Sequence, residues 1–566
     1  MAPVRGPKPA AGRLRTGAPS ARLPSPGRPD SLRGMRALPT CSRLLLPLLA
    51  AVLCSACDGA ASDTPAGEPP FPYQEAGIAE LQARMTAGEL DSVTLTDAYL
   101  RRIALLDRAG PALRSVIEIN PAARREAAQR DAERRAGRIR GPLHGMPILL
   151  KDNIAATPMH NTAGSLALKT FRPRRDAFLV QRLRDAGAVI LGKTNLSEWA
   201  NFRSSGSTSG WSAVGGQTRN PYALDHNPCG SSSGSAVAVA ANLAVAAIGT
   251  ETDGSIVCPA AVNGIVGLKP TVGLVSRDGI IPISFSQDTA GPMTRSVSDA
   301  ALLLGAIAGR DESDPATAAM PGRAVYDYGA RLRPDALRGA RIGVLRNALA
   351  ERAEIKPVLD QAVAAMRAAG ATVVETTLPD EGTWEKHEQT VLLYEFKNGL
   401  NRYFQQWRTP VDSLAALIAF NQAHASQELH LFGQELLLQA EQSGPLNDPA
   451  YIAARGSARR LAGPEGIDAT LRAHRLDALV APTTGAAWRT TPGQGDAYPG
   501  GSYGAAAVAG YPSLSVPMGH AGGLPLGLLF MGTAWSEPRL LELGHAYEQL
   551  TRARRAPAFA DTAPAR

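Results

Sequence analysis

Two serine-bearing loops in the middle of the chain hold the residue types that acyl transfer needs. The first runs Asn227-Pro228-Cys229-Gly230-Ser231-Ser232-Ser233-Gly234-Ser235. The second runs Gly249-Thr250-Glu251-Thr252-Asp253-Gly254-Ser255-Ile256-Val257-Cys258-Pro259. A serine hydroxyl is a weak nucleophile at neutral pH and needs a neighbouring base. Gly249 and Gly254 permit a sharp turn with inward-pointing N–H groups, the donors that stabilise an oxyanion. A flexible Gly/Ser linker has a similar composition. It would not enclose the uncharged apolar run from Ala236 to Ile248. A phosphate-cradling loop would end in G-K-[ST], which is missing here.

The base candidate lies upstream. Met146-Pro147-Ile148-Leu149-Leu150 reads as a short apolar strand that runs out on Lys151. An ordinary lysine, with a pKa near ~10.4, is no base at pH 7. Burial lowers it by about three units, roughly 4 kcal/mol of differential solvation. Taken alone, Lys151 is most simply a surface lysine capping a strand. Beside the serine loops it becomes the leading base. The nine histidines form no H-E-x-x-H or paired-ligand pattern, so neither a metal nor another cofactor is expected. No G-x-S-x-G elbow supports a Ser-His-Asp triad.

Positioning these groups takes a large core, and 566 residues at 44% hydrophobic are ample for one. The run from Ala236 suits a buried helix followed by a short buried strand. Gly77 to Asp107 reads as helical, with Thr94 as a cap inside it. Ser115–Ile119 reads as a strand, Pro121–Arg138 as a solvated helix, Val180–Ala186 as a helix and Ala188–Leu191 as a buried strand. Ile342–Leu345, a helix through Ala369, and Ala371–Val374 repeat the alternation. Strands at Leu476–Thr483, Gly510–Pro517 and Leu526–Phe530 return to the core. The pattern is α/β, with one large domain over residues 73–560. Between Trp384 and Ala462 the aromatics Tyr394, Phe396, Tyr403, Phe404, Trp407 and Phe432 read as core, with a cleft wall as the alternative.

The N-terminus differs from the body. Nine of the 59 basic and one of the 51 acidic residues fall within residues 1–57, which leaves 50 of each sign. The net charge of +8 therefore belongs to this segment and gives no reason to expect a nucleic-acid partner. From Met35, the charges Arg36 and Arg43, the apolar stretch Leu44–Leu53 and Ser55-Ala56-Cys57 read as a secretory leader. Small residues before Cys57 suggest lipidation there, and so an exported, membrane-attached or periplasmic protein; cleavage and secretion is the alternative. Residues 58–72 read as a tether. Beyond the leader only Cys229 and Cys258 remain, one beside each serine loop. Two small buried thiols is the plainer reading, and a disulfide the alternative in an exported protein.

Gly230-Ser231-Ser232-Ser233-Gly234-Ser235 with Gly249-Thr250-Glu251-Thr252-Asp253-Gly254-Ser255-Ile256 resembles the amidase signature family. So do Gly141–Asn153, Gly192–Trp199 and Gly264–Thr271, in order along the chain from about Tyr73. The cysteine-flanked loops look most like its peptide amidase branch. The resemblance implies the family's fold, a large mixed β-sheet covered by α-helices on both sides. It implies a hydrolase that cleaves carboxamides through an acyl-enzyme, with Ser255 as nucleophile, Ser231 as bridging serine and Lys151 as base. The family separates its two serines by 24 positions, as Ser231 and Ser255 are here. It also places the oxyanion hole in the backbone N–H groups of Thr252, Asp253, Gly254 and Ser255. Asp253 stands where most members have glycine, and Val257 where most have arginine. With no cation beside Ser255, the expected partner is a neutral small-molecule or peptide amide, including C-terminal carboxamides. An amidotransferase component that hydrolyses glutamine, and a catalytically silent exported amide-binding lipoprotein, are the competing readings.

Overall fold

Strand and helix alternate along the chain, and the strands gather into one sheet. The structure, a computed structural model, describes residues 71–322, 327–379 and 381–563. The leader at 1–57 and nearly all of the 58–72 tether lie outside these residues. The unit that begins at Pro70 carries everything below.

The strands are β1 (Val116–Ile119), β2 (Pro147–Lys151), β3 (Val189–Thr194), β4 (Trp211–Ser212), β5 (Gly216–Gln217), β6 (Ala246–Glu251) and β7 (Val266–Lys269). They continue with β8 (Thr289–Thr294), β9 (Arg341–Leu345), β10 (Thr372–Thr376), β11 (Ala478–Pro482), β12 (Ser513–Ala521) and β13 (Leu524–Met531). Eleven of them form one mixed sheet in the order β1-β3-β2-β6-β8-β7-β12-β13-β11-β9-β10, while β4 and β5 pair separately. The β2–β3, β2–β6, β9–β10 and β9–β11 pairs are parallel. Helices pack on the sheet, among them Ser233–Ala240 against β6 and Glu537–Thr551 against β12. The α/β architecture read from the sequence is the one observed.

Burial follows composition. The central strands β2, β3 and β6 are buried at every position, which suits parallel strands covered on both faces. The helix Ser233–Ala240 is likewise buried all round, so it needs no polar face. Two local expectations are corrected. Thr94 is not a cap: the helix Ser92–Arg102 starts earlier, on Asp91, whose side chain accepts from Thr94 N at 2.7 Å. Aspartate is among the strongest N-caps, and it fixes that start. The stretch from Gly77 to Asp107 is therefore two helices and a closing π turn. Gly249 does not sit in a turn either. It lies within β6, where a Cβ would come 2.7 Å from Met293 Sδ and 2.9 Å from Ser232 Oγ, so close packing explains the glycine.

Of the aromatics between Trp384 and Ala462, Phe396, Tyr403, Phe404, Trp407 and Phe432 are buried in the core. From that region only Leu392 and Leu436 line the cleft described next.

Candidate active site

β2 delivers Lys151 at its last position, level with Thr194 of β3. The residue is fully buried. Ser231 sits just ahead of the helix Ser233–Ala240, and Ser255 in the turn between β6 and the helix Val257–Val262. Two ties bring the serine loops together. Ser232 N–H donates to Ser255 O at 3.1 Å, and Cys229 and Cys258 form a disulfide with Cα atoms 6.1 Å apart. The two-thiol reading is thus corrected: the β6 turn and the Ser231 loop converge and bring these cysteines within bonding distance. Gly230 is required by crowding, since a Cβ there would come 2.2 Å from Ser197 Oγ.

Lys151 Nζ donates to Ser231 Oγ at 2.7 Å, to Thr250 Oγ1 at 2.8 Å and to Thr250 O at 3.2 Å. Asn153 Nδ2 also donates to Thr250 Oγ1, at 3.0 Å. Burial pushes the Lys151 ammonium down to about 7, against the opposing pull of the Asp288 and Glu251 carboxylates. Burial raises Asp288 to about 6, although Thr252 Oγ1 and the N–H groups of Ile283 and Ser284 donate to it. A neutral amine at Lys151 can therefore take the Ser231 proton near neutral pH.

Glu251 shapes the second loop. Its Oε2 accepts from Ile256 N at 2.7 Å and Val257 N at 3.0 Å, so the carboxylate at the end of β6 caps the following helix. The residues between, Thr252 to Ser255, bulge into a tight turn. Gly254 adopts φ +78°, and a Cβ there would meet the Tyr503 ring at 2.2 Å. Among the described residues, no backbone carbonyl outside the sheet takes the N–H groups of Thr252, Asp253, Gly254 or Ser255.

Ser255 stands on the wall of a cleft of about 350 Å³ that Asp253, Tyr503, Tyr498, Trp488 and Asp496 also line. Its hydroxyl does not bond to Ser231 or Lys151 in this structure, so one link of the expected relay is open while the Lys151–Ser231 link is made. Of the three residues singled out in the sequence, Lys151 and Ser231 are in contact, and Ser255 lies on the turn tied to the Ser231 loop. Sequence reasoning assigned no role to Thr250, which holds the lysine, or to Asn153, which holds Thr250, although both lie inside its motifs. It missed Trp488, Asp496, Tyr498 and Tyr503 altogether, because they sit on an irregular loop with no periodicity.

The chain is similar to known proteins over most of its length. Residues 94–541 match the Amidase family. Among curated proteins, a probable amidase of Arabidopsis thaliana is 40% identical over 501 residues, covering 86% of this chain and 92% of that one. A glutamyl-tRNA(Gln) amidotransferase component from Halorhodospira halophila is 37% identical over 499 residues, covering 84% and 97%. Among solved structures, the peptide amidase of Stenotrophomonas maltophilia is 71% identical with a TM-score of 0.85, covering 87% of this chain and 100% of that one. With the match spanning the sheet and both serine loops, the chain belongs to the amidase family, as a hydrolase acting on amide C–N bonds.

Proposed function

We propose that this protein hydrolyses carboxamides through a Ser-Ser-Lys relay and an acyl-enzyme, with C-terminal peptide amides as its substrate class. The observation that carries this is the buried Lys151 amine, 2.7 Å from Ser231 Oγ and pushed down to about 7. Substrate in the cleft brings Ser255 into the relay, since catalytic hydrogen bonds often tighten only in the complex. Ser255 Oγ attacks the amide carbonyl as its proton passes to Ser231 and the Ser231 proton to Lys151. The N–H groups of Thr252, Asp253, Gly254 and Ser255 receive the oxyanion. On collapse the C–N bond breaks, the relay returns a proton to the nitrogen, and ammonia leaves. Water then gives a proton to the same relay, attacks the ester and releases the carboxylic acid.

Likeness to the Stenotrophomonas enzyme supports the peptide-amide class. Likeness to the amidotransferases keeps glutamine in the comparison. The test is a substrate panel on purified protein, comparing peptide amides, small aliphatic and aryl amides and free glutamine, with a fluorophosphonate probe mapped by peptide mass. Peptide amides should turn over best and the probe should sit on Ser255. Preferred turnover of glutamine would overturn the substrate class, and absence of label from Ser255 the mechanism.

A further inference from the structure

The cleft carries a charge pattern that the proton relay does not use. Two carboxylates line it, Asp253 and Asp496, and no lysine or arginine does. Asp496 is fully engaged. It accepts from Ser209 N at 3.0 Å, Asn227 Nδ2 at 3.0 Å and Trp488 Nε1 at 3.3 Å. Asp253 has no N–H or O–H donor of this kind among the described residues: its Oδ1 is buried, and what it meets is another carboxyl. Its carboxyl faces that of Glu388, a buried residue of the helix Glu385–Trp407. Gln287 Nε2 donates to Glu388 Oε1 at 2.8 Å and to Thr252 O at 3.4 Å, which holds Glu388 against the turn that carries Ser255.

Two carboxyls forced together do not ionise independently, and the pair keeps a proton to higher pH than either would alone. Burial first, then the partner carboxylate, raises Asp253 well above the usual range; burial raises Glu388 to about 7. Behind Asp253 stand Glu251 and Lys269, beside Glu388 stands Glu385, and the Tyr498 and Tyr503 phenols face Asp253 from the cleft. Lys269 is the one cation of this set, and burial pushes it down to about 8. The field at the cleft therefore grows more negative as pH rises above neutrality.

We propose that the Asp253–Glu388 pair is the specificity element of the cleft. Its charge repels carboxylates, so neutral and cationic amides bind while acidic amides and the acid product do not. This rests on the amide-hydrolase reading above. It also gives product release a cause, because hydrolysis exchanges a neutral amide for an anion in a cleft without a cation.

The test compares kcat/KM for two peptide amides that differ only in ending on glutamine or glutamate, from pH 6 to pH 8.5, on the purified full chain. In the wild type the ratio in favour of the glutamine substrate should exceed tenfold at pH 8 and shrink toward pH 6. Glu388→Gln relieves Asp253 of its neighbour's charge, so discrimination should set in about one pH unit lower. The double change Asp253→Asn with Glu388→Gln should bring the ratio to within about threefold of unity and strengthen inhibition by the product acid. A ratio in the double variant within twofold of wild type, or an onset that stays put in Glu388→Gln, overturns the proposal. Fluorophosphonate labelling separates the two readings. Labelled protein with unchanged selectivity refutes the acid pair alone, whereas unlabelled wild type refutes the hydrolase mechanism. If the double variant does not label, the onset in Glu388→Gln decides.

Discussion

The perturbed ammonium of Lys151 makes a prediction in both rate and stability. Burial moves it from 10.5 to about 7. At pH 7 an unshifted lysine is neutral in only about one molecule in 3,000, and the shifted one in about half, a gain of roughly 10³ in working base. The pH profile of kcat/KM on a neutral peptide amide should therefore rise through a limb near 7 and not near 10, as the amine loses its proton in the free enzyme. Lys151→Arg should be as damaging as Lys151→Ala, since a guanidinium keeps its charge. Stability follows with a definite sign. The folded pKa lies below the unfolded one, so between pH 7 and 10.5 the unfolded chain holds the extra proton, and rising pH stabilises the fold. Against Lys151→Met, which does not titrate, wild type should gain about 3 kcal/mol between pH 6 and pH 9 by urea denaturation at each pH. A flat rate profile with chemistry rate-limiting, or a wild-type-to-Met difference independent of pH, would refute the argument.

Two further outcomes are expected. Thr250→Val removes an acceptor that favours the charged form of Lys151, so the acid limb of kcat/KM should move to lower pH while kcat falls, read from the same profiles. Replacing Cys229 and Cys258 with alanine opens a closed loop with a sequence separation of 29, and should cost about 3–4 kcal/mol in urea melts, with kcat falling as the two serine loops lose their tie.

Much of this arrangement was legible in the sequence because it rests on local signals. The uncharged run after Ser235 could only be buried, and its helix-then-strand division appears as Ser233–Ala240 and β6. The lysine at the end of an apolar strand is where the sequence put it. What could not be read depends on contacts between distant segments. β8 contains Gly291 and Pro292, both poor strand formers, yet it pairs with β6 and β7 at the centre of the sheet. There a Cβ on Gly291 would lie 2.0 Å from Leu268 O, so tertiary crowding selects the residue that propensity disfavours. The Cys229–Cys258 bond depended on a distance that spacing does not give. The partnership of Asp253 with Glu388 spans more than a hundred residues and has no motif at its far end.

The strand order divides the labour of the chain. Every strand from β1 to β8 in the large sheet lies on one side of the β7–β12 seam, and β9 to β13 lie on the other. Lys151, Ser231 and Ser255 all belong to the first half, whereas Trp488, Tyr498, Tyr503, Leu392 and Leu436 reach the cleft from the second. The proposed reacting groups thus come from the first half alone, whereas the cleft is walled from both, by Asn201, Phe202, Asp253 and Ile283 on one side and by the later residues on the other. The later wall, within residues 384–503, can therefore be remodelled without touching Lys151, Ser231 or Ser255, while Asp253 binds one part of substrate choice to the same turn as Ser255.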